Sequence, residues 1–407
     1  MSPMRLPALV VVTVVAAVLG GGAALGIGKS TGWLDEGTQT VVVKAQASQA
    51  ASLPASATSK VLPLQGSSFD PQRIFAARSP GVVTIFAYFG DPKSEATERA
   101  QGSGFVISPR GYILTNSHVI TNAGESSKVQ AAQHLYVEFA DGDRVEAQSV
   151  GWDLYDDVGL IRVDPGAHRL SPVPLGDSAL VNVGEPVAAI GSPLGNENTL
   201  TVGVVSAIHR SIGAITVQKY KVIDAIQTDT PITHGSSGGP LLDAHGRVIG
   251  INAQIRSTSG NGNDSGIGFA IPIDAAKNSV AQLIAKGRVT YAYVGISTEN
   301  MTPSLARVLG YKAQHGALIV DVSGGSPGAK AGLQGGDREV DVLDRTVTTG
   351  GDVIVAIDGR PIRGADDVVR FVSYSVRPKD VAVFTIIRHG QRKKVAVTLA
   401  ERLLPPG

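Results

Sequence analysis

The sequence predicts a mostly β protein with two folded regions behind an apolar N-terminal segment. From residue 69 onward, short apolar and β-branched runs recur between turn residues, without the alternation of strands and helices that a parallel α/β sheet requires. Glycine accounts for 49 of 407 residues, which suits a chain with many turns. Residues 6–28 carry no charged side chain and predict a transmembrane helix.

Charge and composition exclude several classes of protein. The formal net charge is +1 and no long Lys/Arg run occurs, so no nucleic-acid-binding surface is predicted. The chain has no cysteine, which removes disulfides and thiolate metal sites. Its eight histidines form no His-x-x-x-His pair, and no phosphate-binding loop follows a strand. We therefore expect no bound metal or cofactor.

The N-terminal segment, residues 1–30, is interpreted as a single-pass membrane anchor. About 20 apolar residues span a bilayer as a helix, whereas the apolar part of a cleaved signal peptide is usually about 7–15 residues long. The small residues at 20–24 leave cleavage as the alternative. Arg5 favours an extracytoplasmic location for the rest of the chain, in the periplasm or at the cell surface. Residues 31–68, rich in Ala, Ser, Gln and Thr, predict a flexible linker.

The first folded region, residues 69–287, shows the spacing of an all-β barrel or sandwich. Its predicted strands are residues 82–89, 104–107, 112–115, 134–139, 158–163, 186–190, 201–208, 241–242 and 248–252.

A serine between glycines is the strongest functional feature of this region. Ser237 lies in the run Gly-Ser-Ser-Gly-Gly at 235–239. A serine hydroxyl becomes a nucleophile when a base removes its proton and N–H donors stabilise the oxyanion that forms. The run favours Ser237 as the nucleophile, with the N–H groups of Gly235 and Ser237 as the oxyanion hole. It also fits a Gly/Ser surface turn and the nucleophile elbow of an α/β-hydrolase.

Chain order separates these alternatives. An elbow needs its acid and its histidine downstream of the serine, whereas the chymotrypsin-type order is histidine, aspartate, serine. His118 follows the predicted strand 112–115 and lies upstream of Ser237. Imidazole titrates near neutral pH and suits the role of general base.

Asp157 is the best-placed carboxylate to orient His118. It directly precedes the apolar run 158–163, so it lies at the mouth of a predicted core strand and can be buried against a histidine. Asp156 and Asp153 are the alternatives.

These segments resemble the HtrA/Deg family of trypsin-like serine proteases. The segments that carry the resemblance are residues 102–107, 111–120, 157–161, 190–195, 227–229, 235–242 and 266–272. The resemblance implies a chymotrypsin-like double β-barrel with the active site between the barrels. It implies His118 as base, Asp157 as orienting carboxylate and Ser237 as nucleophile. Four residues depart from the family pattern: Ser117, Ser236, Thr233 and His234. Thr233 and His234 lie in the loop of the oxyanion hole.

The residues before Ser237 bear on specificity. Pro231 stands six residues before Ser237, where trypsin-like digestive enzymes carry the residue at the base of the specificity pocket. Because no acidic residue stands there, we expect cleavage after small or medium aliphatic residues rather than after Lys or Arg. Asp229, which is nearby, is evidence to the contrary. The polar, glycine-rich residues 256–266 predict a mobile loop beside the pocket.

Residues 288–403 resemble one PDZ domain, joined to the first region by a predicted helix at 274–285 that Asp274 caps. The matching segments are residues 293–296, 316–320, 326–333 and 351–359. In a PDZ domain a peptide adds as a strand, and backbone N–H groups capture its C-terminal carboxylate. Here those groups would belong to Tyr293, Val294, Gly295 and Ile296; an ordinary strand start is the alternative. Residues 338–349 predict an inserted hairpin.

The sequence thus predicts a membrane-anchored, ATP-independent serine endopeptidase of extracytoplasmic protein quality control and stress response. Its expected substrates are unfolded or regulatory proteins, and its expected PDZ ligands are C-terminal peptides. The resemblance also implies a homotrimer held near residues 69–75. The alternative is a catalytically silent PDZ scaffold or chaperone.

Overall fold

The structure is a computed structural model, and it describes residues 69–94, 97–123, 128–192, 198–213, 216, 221–233, 235–253, 267–342 and 345–402. The predicted anchor at 1–30 and linker at 31–68 lie outside these residues, as do His234 and the loop at 256–266. Within the described ranges, no helix has both the length and the apolar character needed to cross a membrane.

The described chain begins with a short helix that leads into the first barrel. Helix α1 (Pro71–Arg78) starts at Asp70, whose carboxylate accepts the Arg73 N–H at 3.0 Å. Ile74 of α1 is buried, and Phe69 and Phe75 pack partly buried against the same core. The first of the described residues are therefore packed against the core of this region.

The first barrel closes through antiparallel pairing in the order β1-β2-β3-β6-β5-β4. Its strands are β1 (Val82–Tyr88), β2 (Arg99–Val106), β3 (Tyr112–Thr115), β4 (His134–Glu138), β5 (Arg144–Asp153) and β6 (Val158–Val163). Ile85, Ile113 and Ile161 fill its interior without exposed surface. A one-turn helix, α2 (Ser117–Ile120), follows β3 and carries His118.

The second barrel closes in the order β10-β11-β12-β9-β8-β7. Its strands are β7 (Pro186–Gly191), β8 (Thr199–Gly213), β9 (Lys221–Thr228), β10 (Pro240–Leu242), β11 (Val248–Ala253) and β12 (Gly268–Pro272). One apolar cluster joins the two barrels, with Phe105 and Leu160 from the first against Ile190, Leu242 and Ile251 from the second. The predicted double β-barrel is confirmed, and the nucleophile loop between β9 and β10 lies at the junction of the barrels.

The connecting helix corrects one prediction. Helix α3 (Ile273–Lys286) begins after Pro272, so the prediction that Asp274 caps it is wrong. Asp274 lies in the first turn, where its carboxylate accepts the N–H and the hydroxyl of Ser178, each at 2.9 Å. The other carboxylate oxygen of Asp274 accepts a hydrogen bond from the Lys277 Nζ of the same helix at 2.8 Å, so this side chain links α3 to the Ser178 segment.

The C-terminal region is a sheet in the order β14-β15-β18-β20-β21 with β19 beside β18, plus the pair β13–β22 and the hairpin β16–β17. The strands are β13 (Ala292–Tyr293), β14 (Ile296–Met301), β15 (Gly316–Val322), β16 (Arg338–Val342), β17 (Arg345–Thr349), β18 (Val353–Ile357), β19 (Arg360–Pro361), β20 (Val381–Arg388), β21 (Gln391–Thr398) and β22 (Ala400–Glu401). Its helices are α4 (Pro303–Leu309), α5 (Pro327–Ala331) and α6 (Ala365–Tyr374). The predicted hairpin at 338–349 is confirmed, since β16 pairs with β17.

A buried pair of carboxylates ties this C-terminal region to the first barrel. Tyr291 donates its hydroxyl to Asp153 and to Asp156, the latter at 2.8 Å, and Tyr374 at the end of α6 donates to Asp156 at 3.1 Å. Ser279 of α3 donates to Asp153 at 2.6 Å. Burial, and then the charge of Asp153, raise the pKa of Asp156 to about 7. The two carboxylates therefore hold a proton up to near-neutral pH.

We expect Asp156→Asn to stabilise the protein above pH 7. The pKa of Asp156 is raised from 3.8 to about 7, so the folded state keeps a proton that the unfolded state releases. Stability from this proton is complete below the unfolded pKa and is lost as pH rises through the folded pKa. Asparagine is neutral at all pH values and still offers an oxygen to the tyrosines. At pH 8 the gain should be on the order of 1 kcal/mol or more.

Urea unfolding at pH 5 and pH 8 measures this effect. From pH 5 to pH 8, the free energy of unfolding of the wild type should fall relative to that of Asp156→Asn. Asp366→Asn, at an exposed position, should show the same change between the two pH values as the wild type. A gap between wild type and Asp156→Asn that stays constant with pH would contradict the prediction.

Candidate active site

Half-buried His118 and buried Asp157 form a hydrogen-bonded pair at the edge of the first barrel. The Asp157 Oδ2 lies 2.7 Å from the His118 Nδ1. The Asp157 Oδ1 accepts the His118 backbone N–H at 3.0 Å and the Ser117 hydroxyl at 2.8 Å. The Asn116 side chain donates to the Asp157 carbonyl at 2.9 Å. Four donors from α2 and the residue before it therefore fix Asp157, and Asp157 fixes the imidazole ring.

The surroundings of His118 make it a competent proton acceptor. Burial lowers the pKa of the imidazole, but the charge of Asp157 and the hydrogen bond to it act in the opposite direction, and the net result is a pKa raised above 6.5. Because the His118 Nδ1–H donates to Asp157, the neutral imidazole presents its lone pair at Nε2. Proton transfer to Nε2 then creates an imidazolium next to a carboxylate.

Hydrogen bonds from both barrels fix the loop that carries Ser237. The Ser237 carbonyl accepts the Ser103 N–H of β2 at 2.8 Å, and the Gly238 N–H donates to the Asn252 carbonyl of β11 at 2.9 Å. The Gly235 carbonyl accepts the Ser103 hydroxyl at 2.6 Å. Ser236 and Ser237 are both buried. The loop is thus held against the first barrel.

One glycine shows how close this loop lies to the histidine. A Cβ built on Gly102 would come within 2.6 Å of the Val119 side chain and 3.0 Å of the Ser237 carbonyl oxygen. Val119 is the residue after His118 in α2. The structure therefore brings the His118 segment and the Ser237 loop together beside Gly102, next to the position that its Cβ would take. A histidine paired with a buried carboxylate, in a segment next to a serine loop, is the set of groups that nucleophilic acyl transfer uses.

The other acidic candidates lie elsewhere. Asp153 and Asp156 bond to tyrosines of the C-terminal region, as described above, rather than to the imidazole. Asp229 accepts the Val204 N–H of β8 at 2.7 Å and is tied to the outside of the second barrel. Ile232, in the segment expected to form the specificity pocket, contacts Gly268 of β12.

Sequence reasoning did not assign a role to two polar residues of this site. Ser103 bonds the nucleophile loop, and Ser117 bonds Asp157, and both are fully buried. Ser103 offered one indication, as a polar residue between glycines in an apolar strand run. Ser117 was recognised only as a departure from the family pattern.

The four residues expected to capture a peptide carboxylate run from β13 into β14. Tyr293 pairs with Ala400 of β22, and Val294 is buried in the core of the C-terminal region. Gly295 has φ of +78°, and its carbonyl accepts the Ser323 N–H at 2.9 Å. Ile296 begins β14, which pairs with β15 on one side and has no strand on its other side among the described residues.

Helix α6 lies beside that edge of β14. The Ala365 N–H at its start donates to the Asn300 side chain of β14 at 2.7 Å. Val368 and Phe371 of α6 are buried in the same core. An edge strand beside an amphipathic helix is the arrangement to which an extended peptide adds as a further strand.

Comparisons with known proteins agree with this architecture. A family model described as a trypsin-like peptidase domain matches residues 102–251, and one described as a PDZ domain matches residues 292–399. The chain is 36% identical over 319 residues to the putative serine protease HhoB of Synechocystis sp., covering 76% of this chain and 68% of that protein. It is 37% identical to protease Do-like 1, chloroplastic, of Arabidopsis thaliana, covering 80% of this chain and 71% of the relative.

The chain is also 37% identical to a probable periplasmic serine endoprotease DegP-like of Pseudomonas fluorescens. The matched region covers 76% of this chain and 58% of that protein. Among solved structures, the HtrA-type protease AlgW with tripeptide is similar, with a TM-score of 0.65 and 31% identity over 83% of this chain and 99% of that one. The same protease with decapeptide gives a TM-score of 0.62 at 28% identity, covering 83% of this chain and 100% of that one. Fold, order of domains and identity over most of the chain agree: this protein is a serine protease of the HtrA/Deg family, with a trypsin-like peptidase domain followed by a PDZ domain.

Proposed function

We propose that this chain is a membrane-anchored, ATP-independent endopeptidase of extracytoplasmic protein quality control, with His118, Asp157 and Ser237 as its catalytic triad. The observation that carries the proposal is the 2.7 Å bond between His118 and Asp157, together with the fixed Ser237 loop, which meets the His118 segment beside Gly102. The names of the relatives, which include periplasmic endoproteases, support the location and the reaction.

The geometry supports the following reaction. The Ser237 hydroxyl attacks the carbonyl carbon of a peptide bond while His118 Nε2 takes its proton, and Asp157 stabilises the imidazolium. The N–H groups of Gly235 and Ser237 hold the oxyanion of the tetrahedral intermediate. The intermediate collapses to an acyl-enzyme as His118 returns the proton to the leaving amine. Water, deprotonated by His118, then releases the new carboxylate and regenerates Ser237.

Each segment of the chain has its own role in this function. Residues 1–30 anchor it, residues 31–68 link the anchor to the peptidase domain at 69–287, and residues 288–403 form the PDZ domain. Apolar Pro231 favours cleavage after small or medium aliphatic residues, and the Asp229 carboxylate, the evidence to the contrary, accepts the Val204 N–H of β8. Assembly as a homotrimer through residues 69–75 is part of the same proposal.

Degradation of a permanently unfolded protein tests the proposed function. The purified full-length chain should degrade such a substrate without ATP, and a fluorophosphonate should label it at Ser237. A protein that binds the substrate but neither cleaves it nor reacts with the fluorophosphonate, even with a C-terminal peptide present, would instead be a PDZ scaffold or chaperone.

We expect Gly295→Ala to weaken binding of a hydrophobic C-terminal peptide at least about tenfold, since backbone strain and the loss of carboxylate hydrogen bonds each cost about 1–3 kcal/mol. Gly295 has φ of +78°, and an added Cβ would meet the side chain of Ser326. Fluorescence anisotropy with a labelled peptide measures the affinity, and a peptide with an amidated C-terminus should bind weakly to the wild type.

Gly359→Ala is the matched control for this substitution. Gly359 has the same φ of +78°, but an added Cβ there would meet no atom within 4 Å. It lies between β18 and β19, away from β14. Equal loss of affinity in both variants, or equal binding of the amidated peptide, would contradict capture of a carboxylate at 293–296.

A further inference from the structure

We infer that Ser103 is a positioning residue for the oxyanion hole, an inference that rests on the proposed protease function. Ser103 lies in β2 of the first barrel and has no exposed surface. Its N–H donates to the Ser237 carbonyl at 2.8 Å, and its hydroxyl donates to the Gly235 carbonyl at 2.6 Å. Its hydroxyl also accepts the Ser192 N–H at 2.8 Å. All these partners belong to the second barrel or to the loop that it carries.

The two carbonyl groups that Ser103 holds belong to the residues whose N–H groups are the proposed oxyanion donors. Ser103 bonds the carbonyls of Gly235 and Ser237. Within a residue, the N–H and C=O directions are linked by φ and ψ, so fixing the carbonyl limits where the N–H can point. Ser103 therefore orients both donors without touching the substrate.

Ser103 also connects this loop to the segment that carries the base. The Ser103 carbonyl accepts the Thr115 hydroxyl at 2.6 Å. Thr115 ends β3, and Asn116 and α2 with His118 follow directly. One buried residue thus joins the His118 segment of the first barrel to the Ser237 loop of the second. Since the reaction needs base, nucleophile and oxyanion donors in one geometry, this connection sets their relative position.

Ser103→Ala removes the hydroxyl and spares the backbone bond to Ser237. The Gly235 carbonyl then loses its Ser103 partner, which frees the turn at Gly235 and misdirects its N–H. Oxyanion donors act chiefly on the transition state, so the loss falls on kcat rather than on substrate affinity. A misplacement of about 1 Å can lower the rate about 10²-fold.

The experiment compares Ser103→Ala with Thr84→Val in the full-length chain. Thr84 is buried in β1 and donates to the Ser192 hydroxyl at 2.6 Å, so the control loses a buried hydroxyl at the same barrel junction without touching the Ser237 loop. We expect kcat for a chromogenic peptide to fall about 10²-fold in Ser103→Ala, with KM within threefold. Fluorophosphonate labelling should slow in parallel, and Thr84→Val should keep most of its kcat at a similar thermal midpoint.

Ser103→Cys provides a second variant of nearly the same shape. A thiol is a weaker hydrogen-bond donor than a hydroxyl, so we expect its kcat to fall between wild type and Ser103→Ala. Ser103→Ala or Ser103→Cys with wild-type kcat, or equal losses in Thr84→Val, would overturn the positioning role while leaving the protease function intact. A wild-type protein that neither cleaves nor labels would overturn the proposed function and this inference together.

Discussion

Ser237→Ala should abolish the degradation of an unfolded protein, with kcat falling roughly 10⁵–10⁶-fold, because no other group takes over the role of the nucleophile. The change removes one oxygen atom and keeps the backbone. The bond from the Ser103 N–H to the Ser237 carbonyl and that from Gly238 to Asn252 do not depend on the lost hydroxyl. The variant should therefore fold as before and bind substrate as before. Quenched-fluorescence peptide cleavage gives kcat, and anisotropy with an unfolded substrate gives the affinity.

Ser236→Ala is the matched control for this prediction. Ser236 is the preceding residue, is also buried, and has a hydroxyl that lies 3.5 Å from that of Thr233. It should retain activity within a few-fold of wild type and should still react with a fluorophosphonate. Proteolysis that persists in Ser237→Ala, after contaminating proteases are excluded by a mock purification, would remove Ser237 from the mechanism.

Asp157→Asn should lower kcat about 10⁴-fold, because an amide at this position no longer holds the imidazole in the productive tautomer or stabilises its cation. The variant should also change the pH profile. In the wild type the pKa of His118 is raised above 6.5, so kcat/KM should rise with pH through that value as the base becomes neutral. Without the charge of Asp157, burial lowers the pKa of His118, and the acid limb should move to lower pH.

Asp156→Asn serves as the control, since its carboxylate lies one residue away and bonds to Tyr291 and Tyr374 rather than to His118. It should keep most of the wild-type kcat at neutral pH. An Asp157→Asn variant with an unchanged acid limb would show that Asp157 does not set the charge state of the base.

The parts of the fold that the sequence predicts best are strands buried on both faces. Residues 112–115 and 158–163 are mostly apolar and, apart from exposed Arg162, largely buried, and they are the strands β3 and β6. Strand β5, with Arg144, Glu146 and Gln148 on an exposed face, was missed. Its own residues have little strand preference, and pairing with β4 and β6 decides its conformation.

In the site, too, the sequence predicts residues with a recognisable local motif better than residues whose role depends on contacts distant in the chain. Chain order and residue chemistry were enough to nominate His118, Asp157 and Ser237, because each comes with a recognisable neighbourhood in the sequence. The roles of Ser103 and Ser117 depend on atoms that meet only after the barrels form. Asp274 failed as a predicted cap for a related reason, since Ser178, far away in the chain, offers it better partners.

Gly102 has a consequence for how this enzyme can vary. A Cβ at this position would come within 2.6 Å of Val119, the neighbour of His118, and within 3.0 Å of the Ser237 carbonyl oxygen, which is too close for a side chain. The close approach of the His118 segment to the Ser237 loop thus depends on the absence of a side chain at position 102. Even a single added methyl group must displace Val119 or the Ser237 loop, so we expect position 102 to accept glycine alone.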